Sequence, residues 1–184
     1  MPAQSWSRRS FLAGLSAASA FGPSVASARP SVQGEGGLWR GMEFEDSKGR
    51  SFQLGMAGGS SGGAPLTLIK LWAHWCPACL GEMAALSAMA TALAGHVEVL
   101  LVSHPEYWAQ DQATAARRRL PFRLAAPTAA NGSGVVRAAL TGSGAYSVPR
   151  SLVFRTRDAT VAWSQSGSMD WGSAGALATV RGLG

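Results

Sequence analysis

Leu66-Thr67-Leu68-Ile69-Lys70-Leu71-Trp72-Ala73-His74-Trp75-Cys76-Pro77-Ala78-Cys79 runs from an apolar segment directly into the only two cysteines among 184 residues. Leu66 to Trp72 has the length and apolar density of a buried strand, and the Ala-, Leu- and Met-rich stretch from Leu80 to Leu93 reads as a helix. A C-x-x-C at a strand-to-helix junction is the layout of a dithiol redox centre. The start of a helix presents unpaired N–H groups and the positive end of its dipole, and both favour a thiolate on the first sulfur. The thiolate is the attacking form in disulfide exchange. The stretch therefore points to thiol–disulfide chemistry.

A purely structural bridge gains most by closing a long loop, whereas this pair closes a very small ring and constrains little of the unfolded chain. Such a pair can be reduced and reoxidised while the fold persists. Cys76, at the exposed helix start, is the expected nucleophile. Cys79, one turn further in, is placed to resolve a mixed disulfide. Pro77 suits the first turn, where its missing N–H costs no helical bond.

The first residues read as an address. Ser7-Arg8-Arg9-Ser10-Phe11-Leu12 matches the twin-arginine export pattern, a mildly apolar stretch follows from Ala13 to Phe21, and Ala26-Ser27-Ala28 fits a cleavage site. An ordinary secretory signal with two adjacent arginines is the alternative. The apolar stretch is shorter than the about 20 residues a spanning helix needs, which leaves an uncleaved anchor as the lesser option. The expected organisation is a signal peptide over 1–28, a Gly-, Ser- and Pro-rich flexible lead-in over 29–40 and one domain over 41–184. The formal charge of +6 falls to about +4 once Arg8 and Arg9 are removed. The basic residues are scattered apart from Arg117-Arg118-Arg119, read as a solvated helix end. With no interleaved aromatics, nucleic acid is not an expected partner.

Further along, Met42 to Leu54 reads as a β-hairpin turning at Ser47-Lys48-Gly49, and Gly58 to Gly63 as a low-complexity surface loop. That loop lacks the Lys-Ser/Thr of a phosphate-binding loop. Val97 to Ser103 is a second strand, Tyr107 to Arg119 a helix, Phe122 to Leu124 a short strand and Val135 to Leu140 a short helix. Ser151 to Phe154 and Thr160 to Trp163 form a hairpin through Arg157-Asp158-Ala159, and Ser173 to Val180 a last helix. Strands alternating with helices, then a hairpin and a helix, give an α/β domain with a central mixed sheet and an N-terminal hairpin extension.

From about Gly41 onward the chain resembles the TlpA-like (ResA/DsbE-type) exported thioredoxins. The matching features are Phe44…Lys48-Gly49-Arg50…Leu54, Leu71-Trp72-Ala73-His74-Trp75-Cys76-Pro77-Ala78-Cys79, Glu82-Met83, Val148-Pro149 before Leu152-Val153-Phe154, and Gly167…Asp170-Trp171. The resemblance implies a thioredoxin-like fold and a cis-proline at Pro149 facing the cysteines. Trp75, Pro77, Val148 and Pro149 would then contact the substrate. It also implies that Glu82 lies beneath the disulfide, where a carboxylate raises a thiol's pKa and can carry its proton.

Two departures stand out. Lys70 occupies a position where thioredoxins have a buried Asp and TlpA-like proteins often Asn; a charged lysine would lower thiol pKa values, a buried one would be forced neutral, or its side chain would snorkel to the surface. Ala84 replaces the proline that commonly kinks the active helix. His74, two residues before Cys76, would favour the thiolate when protonated, although strand alternation points it beside the site. Trp72 and Trp163 read as core.

The family also implies a monomeric reductant of periplasmic partner proteins, such as cytochrome c maturation apoproteins. Electrons would come from a membrane reductase of the DsbD or CcdA type. Beyond the Cys76–Cys79 couple no cofactor is expected. The competing reading is a copper or other metal chaperone using the two thiolates with His74 or His104. A thiol peroxidase is disfavoured by Ala73, where a peroxidatic site has threonine.

Overall fold

The computed structural model describes residues 39–54, 63–132, 136, 138–140 and 146–184. The expected signal over 1–28, the lead-in up to residue 38 and most of the 58–63 loop lie outside the described residues. The predicted strand at Leu66 is β3 (Leu66–Leu71), and every residue in it is buried. It runs parallel to β4 (Val97–Val102) and antiparallel to β6 (Arg150–Arg155). Around these lie β1 (Glu43–Asp46), β2 (Ser51–Gln53), β5 (Arg123–Pro127) and β7 (Thr160–Ser166), in a seven-stranded mixed sheet of order β2-β1-β5-β4-β3-β6-β7. A strand flanked by partners on both edges and covered on both faces has no polar side to show, which is why β3 reads as a nearly continuous apolar run.

Alternation along β3 sends Leu66 and Leu68 to one face and Ile69 and Leu71 to the other. The first face is covered by three helices: α1 (Pro77–Ala92), α2 (Trp108–Arg118) and α3 (Ala174–Arg181). They contribute Met83, Leu86, Ala115, Ala176 and Val180 to that core. The second face is closed by Trp39, Phe44, Phe52 and helical residues Val136, Ala139 and Leu140.

The α/β fold class, the N-terminal hairpin and the closing hairpin are as expected. Several boundaries differ in detail. Trp39, expected within the lead-in, is buried and stacks on Phe44, so packing reaches back past the boundary placed at Gly41. Helix α1 begins at Pro77, the first-turn position expected for it, ahead of the Leu80–Leu93 stretch, and runs unbroken through Ala84. Tyr107 ends a 3-10 turn (Pro105–Tyr107) before α2 starts at Trp108. The strand expected at Phe122–Leu124 extends to Pro127, because its Leu124 and Ala125 pair with β4 while Ala125 to Pro127 pair with β1.

Candidate active site

Cys76 is the N-cap of α1, with an extended backbone. Its Sγ accepts the N–H of Cys79 at 3.1 Å, one of the donors that the first turn of a helix leaves without a main-chain partner. Cys76 and Cys79 form a disulfide, with Cα atoms 5.3 Å apart. Pro77 is the first helical residue, where the missing donor is harmless. Cys79 is wholly buried and Cys76 nearly so. Trp75 beside them is 49% exposed, the one exposed large apolar side chain among the described residues.

Strand register brings the second element to the cysteines. Arg150 pairs with Leu71 at the end of β3 that leads into Trp72, so the preceding Val148–Pro149 segment sits at the sheet end carrying the disulfide. The Val148–Pro149 bond is cis. Pro149 O accepts the N–H of Gly167 at 2.8 Å. Tyr146 donates its hydroxyl to Trp72 O at 3.0 Å, tying the segment before the proline to the loop before the cysteines. Burial raises the Tyr146 phenol above its ordinary range and the Asp111 charge adds to this, so it remains a donor.

Glu82 is three residues past Cys79 on the buried face of α1. Its carboxylate accepts the Met169 N–H at 3.1 Å on Oε1 and the Trp171 Nε1–H at 2.9 Å on Oε2. Lys70 Nζ closes an ion pair with the same Oε2 and donates to Ser151 Oγ at 3.2 Å. The snorkelling alternative for Lys70 is not realised: its side chain has 0% exposure. It shares the face of Leu66 and Leu68, and on the central strand that face lies under helix α1, with no route to water. Burial pushes the ammonium below its ordinary range, and the Glu82 contact opposes the shift.

His74 is fixed in place by a residue that nothing in the motif announces. Asp111, fully buried on α2, accepts the His74 main-chain N–H at 2.6 Å and contacts its ring Nδ1 at 2.8 Å, both on Oδ1. A cluster of rings continues from there. Tyr107 meets the edges of His74 and Trp75, and His104 and Tyr146 pack against each other and against Tyr107.

Sequence reasoning placed Trp75, the cysteines and Val148–Pro149 together, and the structure gathers them at one sheet end. It missed Asp111, Tyr107, Tyr146 and Ser151. An acidic residue in a helix first turn and three residues in ordinary loop or strand positions carry no pattern that marks them. Among the described residues, no group of three or more His, Cys, Asp and Glu side chains is arranged to hold a metal ion. No described helix is long and apolar enough to cross a membrane.

No protein-family model and no curated protein sequence matches the chain. Solved structures do. The fold is similar to DsbF of Mycobacterium tuberculosis, solved in mixed oxidised and reduced forms, with TM-score 0.58 and 19% identity over 80% of this chain and 98% of that one. It is similar to a secreted M. tuberculosis disulfide oxidoreductase homologous to E. coli DsbE, with TM-score 0.55 and 19% identity over 77% and 96% of the two chains. The thioredoxin domain of a thiol-disulfide oxidoreductase from Bacteroides vulgatus gives TM-score 0.61 and 13% identity over 82% and 97%. At such identities the likeness speaks for the fold, and the fold of this chain is thioredoxin-like.

Proposed function

We propose that this protein is an exported thiol–disulfide oxidoreductase that reduces disulfides of periplasmic partner proteins through the Cys76–Cys79 couple. The observation that carries this reading is the cystine at the N-cap of α1, with the cis-Pro149 segment at the same sheet end. A thiolate on Cys76 would keep the Cys79 N–H as donor and gain from the helix terminus, an interaction of about 0.3–1 kcal/mol in exposed settings and more where partly buried. Cys76 attacks the partner disulfide, and Cys79 then attacks Cys76 and releases the reduced partner. The backbone before Pro149 and the exposed Trp75 ring receive the substrate chain.

The finer assignments rest on the resemblance and on the leader. The partners are cytochrome c maturation apoproteins or similar disulfide-bearing proteins. The protein is a monomer in the periplasm, delivered by the twin-arginine route, and is recharged by a membrane reductase of the DsbD or CcdA type. The dithiol is itself the redox group, and no bound cofactor enters the cycle.

The reduction potential of the pair in defined thiol buffers tests the reading. A value near about −270 mV makes the protein a reductant, whereas one near about −120 mV makes it an oxidant and overturns the assigned direction. Cys79→Ser is expected to trap a covalent partner complex through Cys76; an untrapped variant would count against the two-step mechanism.

A further inference from the structure

The buried Lys70–Glu82 pair goes beyond what exchange at a helix N-cap requires. Cys79 has no exposed surface, so a thiolate formed there has no water to solvate it. Glu82 follows on the same helix face, where side chains three apart have Cβ atoms about 5–6 Å from each other. An unbalanced carboxylate at that distance would repel the Cys79 thiolate. Lys70 reaches the carboxylate from the central strand and also holds Ser151, two residues beyond Pro149. Both carboxylate oxygens already accept N–H donors, which fixes the carboxylate in place.

We propose that Lys70 is a positioning residue for the redox reaction: its charge cancels the field of Glu82 one turn below Cys79 and so eases formation of the Cys79 thiolate that closes the disulfide. The inference rests on the oxidoreductase reading and specifies how its second step is driven. In that step Cys76 is bonded to one sulfur of the partner. Cys79 gives up its proton, and its thiolate attacks Cys76 Sγ. The Cys76–Cys79 bond forms, the bond from Cys76 to the partner sulfur breaks, and that sulfur leaves with the electron pair and takes up a proton. The dithiol is oxidised by two electrons and the partner disulfide is reduced by two. Lys70 neither gains nor loses an atom; it acts through its charge. Burial of the ammonium, which works against that charge, is opposed by the Glu82 contact.

The test mixes the reduced full-length protein rapidly with oxidised glutathione across a pH series. The readout is the rate of the second glutathione release, the step in which Cys79 attacks. In Lys70→Met the midpoint of this rate is expected to rise by about one pH unit, close to a tenfold loss of rate at fixed pH below the midpoint. In Glu82→Gln the buried lysine loses the contact that opposes its deprotonation, so the midpoint is expected to stay near that of the unmodified chain. In the double variant Lys70→Met/Glu82→Gln, the midpoint returns near that of the unmodified chain.

A rise in Lys70→Met that the second substitution cancels supports the proposal. A rise that persists in the double variant, or no rise beside a common loss of thermal stability, overturns it and leaves the pair a packing device. Should Lys70→Met alone fail to fold, Lys70→Gln, which keeps a donor for Glu82 without the charge, takes its place. If the unmodified chain forms no mixed disulfide with glutathione, the oxidoreductase reading itself fails, which is a separate outcome.

Discussion

Asp111 Oδ1 takes both the main-chain N–H and the ring Nδ1 of His74, at 2.6 and 2.8 Å, and so pins the loop that delivers Cys76 to helix α1. Replacing it with Ala leaves a buried N–H and an imidazole without their acceptor. The expected cost is about 1.5–3 kcal/mol for hydrogen bonds to a charged group. Urea unfolding should show this as a lower midpoint at unchanged slope. Asp111→Asn retains an acceptor and should lose less. Equal losses in the two variants would mean that Asp111 acts by shape alone.

Trp75 is half exposed beside the disulfide, so its value lies in contact rather than in packing. Trp75→Ala is expected to change stability by no more than about 0.5 kcal/mol. Its KM for a protein disulfide substrate should rise, while turnover of a small disulfide such as oxidised glutathione stays close to that of the unmodified chain. A uniform loss on both substrates would place Trp75 with the reacting groups instead.

Trp39 packs on Phe44 and Phe154 with ring centroids 6.2 and 5.5 Å away. Trp39→Ala should therefore cost about 3–5 kcal/mol, as for a large aromatic removed from a core. Thermal unfolding checks this. A near-neutral result would return the start of the domain to Gly41.

Asp46 sets an acid limit. Burial opposes its ionisation, but hydrogen bonds from Arg50 and Lys48 and the Arg50 charge outweigh this and hold its pKa at about 2, against an ordinary value of 3.8. A carboxylate depressed in the folded state stabilises the fold fully above its unfolded pKa and loses that contribution as pH falls through the folded value. The loss therefore falls between about pH 4 and pH 2, and amounts to at most about 2.5 kcal/mol. Arg50 lies largely in water, which screens the pair and reduces the figure. Asp46→Asn should flatten the stability curve in that window; an unchanged curve would show that other carboxylates govern acid unfolding.

The parts of this fold that were readable in advance are those written in short-range pattern. The apolar run of β3, the hairpin turning at Ser47-Lys48-Gly49 and the start of a helix at Cys76-Pro77 each depend on neighbours within a few residues. Periodicity and capping act over that range. Val148–Pro149 needed the family resemblance as well, because an X–Pro pair alone does not say which isomer it adopts or what it faces. Helix boundaries shifted where local signals were shared between two states, as at Tyr107, which closes a 3-10 turn instead of opening α2.

From its residues alone the chain specifies an α/β redox domain with Cys76 and Cys79 at a helix start, since strand, cap and dithiol are consecutive in the polypeptide. The fate of the charged side chains around that dithiol was settled by folding. Lys70 could as well have reached solvent from an edge strand; it is buried because β3 lies between β4 and β6, with α1 over that face. Its partner Glu82 is twelve residues away, Asp111 is 37 residues from His74, and Trp171 is 89 from Glu82. Contacts over such separations follow from strand order and helix placement, and a pairing of that kind leaves no periodic trace in the residues that make it.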